Sequence, residues 1–123
     1  MHGFMHLADF CAACLALPHA EETTPFGPDV LVYKVAGKMF ALTVPEDHPP
    51  TANLKCDPDR AIELRDRYEE VQPGYHMNKR HWNTITLEGR LPNALIEELI
   101  RHSYELVVAS LPKKLRDAVA KPE

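Results

Sequence analysis

A chain of 123 residues, 45% hydrophobic and 26% charged, has the length and proportions of one globular domain. No apolar run approaches the roughly 18 residues of a membrane span, three cysteines are too few for a disulfide framework, and no cationic start of a secretory signal is present. The net charge of −4 argues against a strongly basic nucleic-acid-binding domain. We expect one cytoplasmic domain over residues 1–123, without a membrane partner.

The first predicted elements are a helix and a β-hairpin. Apolar residues between Phe4 and Leu17 recur at steps of three and four, as on one face of a helix. A polar, proline-containing link follows. The runs VLVYKV and KMFALTV are rich in β-forming residues and are separated only by Ala36-Gly37, so they predict a hairpin. A third strand is expected from Ala52 to Cys56.

The second half predicts two more helices. Asp57 can cap a helix from Pro58 to about Tyr68, because proline suits the first helical position. The residues of this helix available to the core are Ala61, Ile62, Leu64 and Tyr68. Val71 to Pro73 is expected to be extended, Thr84 to Leu87 is a predicted strand, and the last helix begins at Pro92. Four or five strands and three helices in this order predict an α+β fold, an antiparallel sheet packed with helices.

Catalytic and metal-binding signatures are weak. Cys11 and Cys14 form a C-x-x-C pair, but they lie on an apolar helical face without a second Cys/His pair at zinc spacing, which favours small core residues. His76 and His81 are five residues apart across a loop, a spacing that does not fix ligand geometry. The chain has neither a nucleophile turn nor a phosphate-cradling glycine loop. We therefore expect a protein that is not an enzyme, with no catalytic residue, metal or cofactor.

The most distinctive segment is GYHMNKRHWN, from Gly74 to Asn83. It combines aromatic rings, histidines, cations and amides within ten residues. Cations can neutralise phosphates, amides can hydrogen-bond to phosphates or base edges, and rings can stack on bases or anchor a protein partner. A structural role is equally compatible with the pattern: Trp82 can be buried with its N–H on a carbonyl, and the two asparagines can cap a turn.

Four blocks of the chain resemble the MmcQ/YjbR family: GKMFAL at 37–42, NLKCDP at 53–58, PGYHMNKRHWNTI at 73–85 and SYELVVASLPKK at 103–114. The resemblance implies a CyaY-like, frataxin-like two-layer fold that is similar to some secretion chaperones. It also implies DNA binding through paired strand–loop–strand wings, and it brings no catalytic residues. Lys79 and Arg80, with His76, Asn78 and His81 nearby, match the basic block of the family.

The leading hypothesis is a small DNA-binding protein, present as a monomer or weak dimer. The predicted nucleic-acid-binding residues are Tyr75, His76, Asn78, Lys79, Arg80, His81, Trp82, Lys113 and Lys114. One alternative is a protein- or peptide-binding adaptor with Tyr75 and Trp82 as anchors. A less favoured one is a frataxin-like cation binder that uses carboxylates between Asp57 and Glu70; interleaved arginines make an ion-paired solvated helix face more plausible there.

Overall fold

The apolar residues recur at helical and strand spacings, and the chain folds into helices that pack on one side of a sheet. The computed structural model describes residues 5–74 and 77–122. Over those residues there are four helices and six strands: α1 (Leu7–Leu15), β1 (Ala20–Thr23), β2 (Leu31–Val35), β3 (Lys38–Val44), β4 (Thr51–Lys55), α2 (Pro58–Arg67), β5 (Val71–Pro73), β6 (Trp82–Thr86), α3 (Asn93–Ala109) and α4 (Lys113–Ala120). The predicted α+β class is confirmed.

The sheet has the order β1-β2-β3-β4-β6-β5, and all neighbouring strands are antiparallel. The predicted hairpin of β2 and β3 turns at Ala36 and Gly37, which both have positive φ angles. Its register shifts by one residue between Tyr33 and Lys34, so Phe40 is an extra residue in β3. The last strand in the chain, β6, is inserted between β4 and β5 and is therefore bonded on both edges.

The core lies between the helices and one face of the sheet. The long helix α3 crosses β3 and β4 and buries Leu99, Ile100 and Val107. The Ser103 hydroxyl accepts a hydrogen bond from the Lys55 N–H at 2.9 Å and donates one to the Phe40 carbonyl, so a buried polar group joins α3 to both strands. All four helices contribute buried residues to this one cluster.

Alternate residues of each strand point to the side of the sheet that faces away from the helices. We call this side the open face. Its members are identified by strand register, with Val32 opposite Leu42, Leu42 opposite Asn53 and Asn53 opposite Thr84. Met39, Lys55 and Trp82 follow on the same face in the next row. Val32 is only 1% exposed although it lies outside the helix-side cluster, so loops pack against the open face.

Three expectations need correction. The link after α1 contains a strand, β1, because an edge strand has only one neighbour and can be polar: its sequence is AEET, with Glu21 and Glu22 exposed. The chain after Leu111 forms a further helix, α4. Ile62 is 56% exposed, because the buried face of α2 passes through Ala61 and Leu64, one turn apart. Within residues 5–74 and 77–122, no helix is long and apolar enough to cross a membrane.

Candidate nucleic-acid interface

The segment between β5 and β6 begins at a close backbone contact. The Gly74 N–H donates to the Trp82 carbonyl at 2.8 Å. A Cβ atom on residue 74 would lie 2.8 Å from the Trp82 Cβ and 2.9 Å from the Trp82 carbonyl oxygen, distances that real side chains do not adopt. Glycine is thus required where the chain leaves β5. Tyr75 and His76, both predicted site residues, lie outside the described residues.

Asn78 shapes residues 77–81, which we call the basic loop. Its side-chain Oδ1 accepts from the Arg80 N–H at 3.0 Å. Its backbone carbonyl accepts from the N–H groups of His81 at 3.2 Å and Trp82 at 2.9 Å. The side-chain and backbone oxygens of Asn78 therefore close the turn. Capping a turn is the structural role that the sequence pattern allows for this residue.

Arg65 of α2 attaches the basic loop to the rest of the protein. Its Nε donates to the Asn83 Oδ1 at 2.7 Å, and Asn83 is only 3% exposed. Its Nη2 donates to the carbonyl oxygens of Lys79 and, at 3.3 Å, of Trp82. No sequence pattern indicates these contacts, because an arginine among carboxylates resembles a surface ion-pair partner. Arg65 is thus a positioning residue that sequence reasoning missed.

A second backbone contact holds the other side of the loop. The Cys56 N–H, which follows β4, donates to the His81 carbonyl at 2.7 Å. Together with Arg65, this bond fixes the loop backbone from two directions. Lys79 and Arg80 are exposed, and neither forms an ion pair within the described part of the chain. The loop therefore presents two cations on an anchored backbone.

Of the described site residues, the structure brings five together and separates two. Asn78 to Trp82 are contiguous, with His81 and Trp82 half-buried. Lys113 and Lys114 begin α4, where Lys113 pairs with Asp117 at 2.9 Å. That helix lies beside Glu21 and Ala36, near β1 and the β2–β3 turn. Three strand spacings separate β2 from β6, roughly 14 Å. The two lysine-containing segments thus belong to different regions of the surface.

A groove on the open face lies next to the basic loop. It has a volume of about 440 Å³ and a floor of Met39, Leu42 and Val44. Phe26, 68% exposed, and Met77 form its walls. Two polar side chains line it: Asn53, whose Oδ1 accepts from the Thr84 hydroxyl, and Asp47, which accepts from the Thr51 hydroxyl at 3.2 Å. No sequence pattern indicated this groove, since two loops distant in the chain complete it.

The alternative sites receive little support from the geometry. Burial raises the pKa of the Cys11 and Cys14 thiols, and Cys14 lies in the helix-side core, as expected for structural cysteines. Burial also raises the pKa of the Tyr33 hydroxyl, which donates to a Glu22 carboxylate oxygen at 2.7 Å. Within residues 5–74 and 77–122, no three His, Cys, Asp or Glu side chains are grouped so that they could hold a metal ion.

Comparison with known proteins places these features in a family. The YjbR family model matches residues 15–106. The chain is 40% identical over 100 residues to the uncharacterised protein YbdF of Escherichia coli O157:H7, covering 81% of this chain and 82% of that protein. It is 33% identical over 112 residues to the uncharacterised protein YjbR of Escherichia coli K12, covering 91% and 95%.

Two crystal structures have the same fold. A Deinococcus radiodurans protein with a DUF419 domain superposes with a TM-score of 0.89 at 40% identity, over 97% of this chain and 91% of that one. A Pseudomonas syringae protein superposes with a TM-score of 0.73 at 28% identity, over 83% and 98%. The matched span includes most of the helix-side core, the open face and the basic loop; the chain belongs to the YjbR family.

Proposed function

We propose that this chain is a cytoplasmic, non-enzymatic DNA-binding protein that contacts phosphates with Lys79 and Arg80. The observation that carries the proposal is the pair of exposed cations on a loop anchored by Arg65, Asn78 and Gly74. An anchored loop loses little conformational entropy when it binds, so more of the electrostatic attraction contributes to affinity. Trp82, half-buried at the start of β6, supplies an adjacent ring for contact with a base or sugar.

The charge distribution limits the size of the interface. The whole chain carries −4, so phosphate attraction depends on the local pair of cations and is opposed by the overall field. Lys113 and Lys114 lie beside the other end of the sheet and are left out of the proposed contact. We therefore expect modest affinity that depends strongly on salt.

The proposal predicts a change in salt dependence when both loop cations are removed. In a Lys79→Ala/Arg80→Ala double variant, the slope of log affinity against log salt concentration falls in magnitude by roughly 1.4 to 1.8, because two phosphate contacts are lost. Fluorescence anisotropy of a labelled oligonucleotide, titrated at several salt concentrations, measures the slope.

The matched control removes the same charge elsewhere. Lys113→Ala/Lys114→Ala changes the net charge equally, and we expect it to leave the slope close to that of the wild type. Equal slopes for both double variants would show that only the total charge matters and would contradict a localised interface. Absence of binding by the wild-type protein at low salt would contradict DNA binding itself.

A protein partner is the second candidate function. It is favoured by Phe26, which is 68% exposed and lies beside the apolar groove, since exposed aromatic residues often anchor protein interfaces. A partner recovered by the wild type after nuclease treatment, and not recovered by Phe26→Ala, would favour this function over DNA binding.

A further inference from the structure

We infer that the nucleic acid bound by this protein is single-stranded, with unstacked bases in the open-face groove between Phe26 and Met77. The inference rests on the proposed DNA-binding function and adds its substrate class. The basic loop and the groove are neighbours, because Met77 is both the first residue of the loop and part of the groove wall. A strand whose phosphates meet the loop therefore reaches the groove.

The chemistry of the groove suits bases rather than a duplex surface. Its floor is apolar, and an apolar floor facing phosphates would remove water from charged groups without replacing their hydrogen bonds. A duplex exposes mainly phosphates and sugars, whereas a single strand can turn the apolar faces of its bases outward. Phe26, at 68% exposure, offers a ring for stacking, and Met39 and Leu42 offer apolar contact below it.

Cations flank this floor at positions that a strand backbone can follow. Lys55 is half-buried on the open face and pairs across the strands with Trp82. Lys79 is two residues beyond Met77, so the two Cα atoms are at most roughly 7.6 Å apart. Lys34 also lies on the open face, but its cross-strand neighbour is Glu21. The usable positive charge is therefore on the β6 side of the groove, next to the basic loop.

The two polar residues of the groove can recognise base edges. The Thr84 hydroxyl donates to the Asn53 Oδ1, and Asn53 lines the groove although it is only 8% exposed, so its amide N–H groups are the donors that it can offer to an acceptor on a base. Asp47 contributes a carboxylate at the groove. A carboxylate repels a phosphate but accepts hydrogen bonds from exocyclic amino groups of bases. Both groups therefore favour a base over a phosphate as the occupant.

The test compares one mixed-sequence oligonucleotide as a single strand and as a duplex at low salt. We expect the single strand to bind at least about tenfold more tightly, because stacking contributes only when bases are unstacked. Phe26→Ala should weaken single-strand binding by about tenfold and leave duplex binding unchanged. Ile62→Ala, which truncates a comparably exposed apolar residue on α2, is the matched control.

A second pair of variants tests the groove floor. Leu42→Asp places a carboxylate under the bases and should abolish the preference for single strands. Leu15→Asp makes the same change at a 46% exposed position on α1 and should have no effect. Quenching of Trp82, the only tryptophan, by the single strand gives an independent readout. Urea unfolding of each variant separates loss of binding from loss of folding, and the exposed Phe26 keeps the test valid if Leu42→Asp is unstable.

The possible outcomes distinguish this inference from the function on which it rests. Equal affinity for single strand and duplex would overturn the inference and leave DNA binding through the basic loop intact. Failure to bind either form would overturn both. Single-strand affinity unchanged in Phe26→Ala would also overturn the inference, as expected if the groove receives an apolar peptide segment of a partner protein instead.

Discussion

Among the described glycines, Gly74 is the one at which an added Cβ atom would lie within 3.0 Å of its neighbours. Its missing side chain lets β5 end against Trp82, and the hydrogen bond between these residues closes the base of the loop segment. We expect Gly74→Ala to lower the free energy of unfolding by about 1–3 kcal/mol, because the added methyl overlaps a Cβ atom and a carbonyl oxygen that cannot move independently. Urea denaturation followed by Trp82 emission measures this loss.

Gly89→Ala provides the matched control for this substitution. A Cβ atom at residue 89 would have its nearest neighbours at 3.6 Å and 3.8 Å, which is ordinary van der Waals contact. We expect its stability to remain within about 0.5 kcal/mol of the wild type. If both alanine variants were equally stable, close packing at Gly74 would not explain why glycine occurs there.

At the scale of elements, α2 acts on the basic loop through one side chain. Arg65→Met keeps the length of the side chain but removes its donors from Asn83 and from two carbonyl groups. We expect a loss of about 1–3 kcal/mol in the free energy of unfolding, because the buried Asn83 Oδ1 loses the donor that Arg65 supplies. We also expect weaker DNA binding, since the loop loses its anchor.

Arg67→Met is the control for the Arg65 variant. Arg67 is two residues further along α2, is exposed and lies over the Tyr68 ring, away from the loop contacts. It should change stability by less than about 1 kcal/mol and leave the salt slope of binding unchanged. A stable Arg65→Met variant with unaltered DNA binding would show that Cys56 and Asn78 hold the loop without α2.

The stability of the whole molecule should respond to the junction between α2 and α3. The Asp57 N–H donates to the His102 Nε2 at 3.1 Å, which requires a neutral imidazole, and Arg60 pairs with Glu98 close by. Burial, followed by the positive charge of Arg60, lowers the pKa of His102 below its ordinary value of about 6.5. The unfolded chain therefore takes up a proton at higher pH than the folded protein does.

Stability attributable to His102 is thus complete above about pH 6.5 and is lost as pH falls toward the lowered folded pKa. His102→Gln retains an acceptor but cannot gain a proton. We expect its free energy of unfolding to decline less than that of the wild type between about pH 7.5 and about pH 5.5. His48→Gln, in an exposed loop, is the control. Parallel declines in the wild type and His102→Gln would exclude a contribution from this histidine.

Sequence predicted the fold better than the site, for reasons visible in particular residues. The last long helix, α3, was correctly predicted because its apolar period extends over 17 residues. The edge strand β1 was missed because a strand that pairs on one side only can contain polar residues, so it lacks the apolar pattern of a buried strand. Arg65 and the groove were also missed, since both depend on residues that meet only after the sheet has formed. For Asn78 the sequence allowed two roles, because the hydrogen bond that closes its turn depends on the folded backbone at Arg80.

The position of β6 also affects how the chain assembles. Strands β1 to β4 pair with their neighbours in sequence, and such local contacts form early because their loops are short. By contrast, β6 pairs with β4 in the sheet although α2 and β5 separate the two strands in the sequence. Helix α3 follows β6 in the chain and can cover the sheet only once it has been synthesised. During synthesis on the ribosome, a four-stranded meander therefore emerges before α3, and the part of its apolar side that α3 buries stays uncovered until roughly the last quarter of the chain follows. Chaperone binding to this nascent intermediate would protect it during that interval.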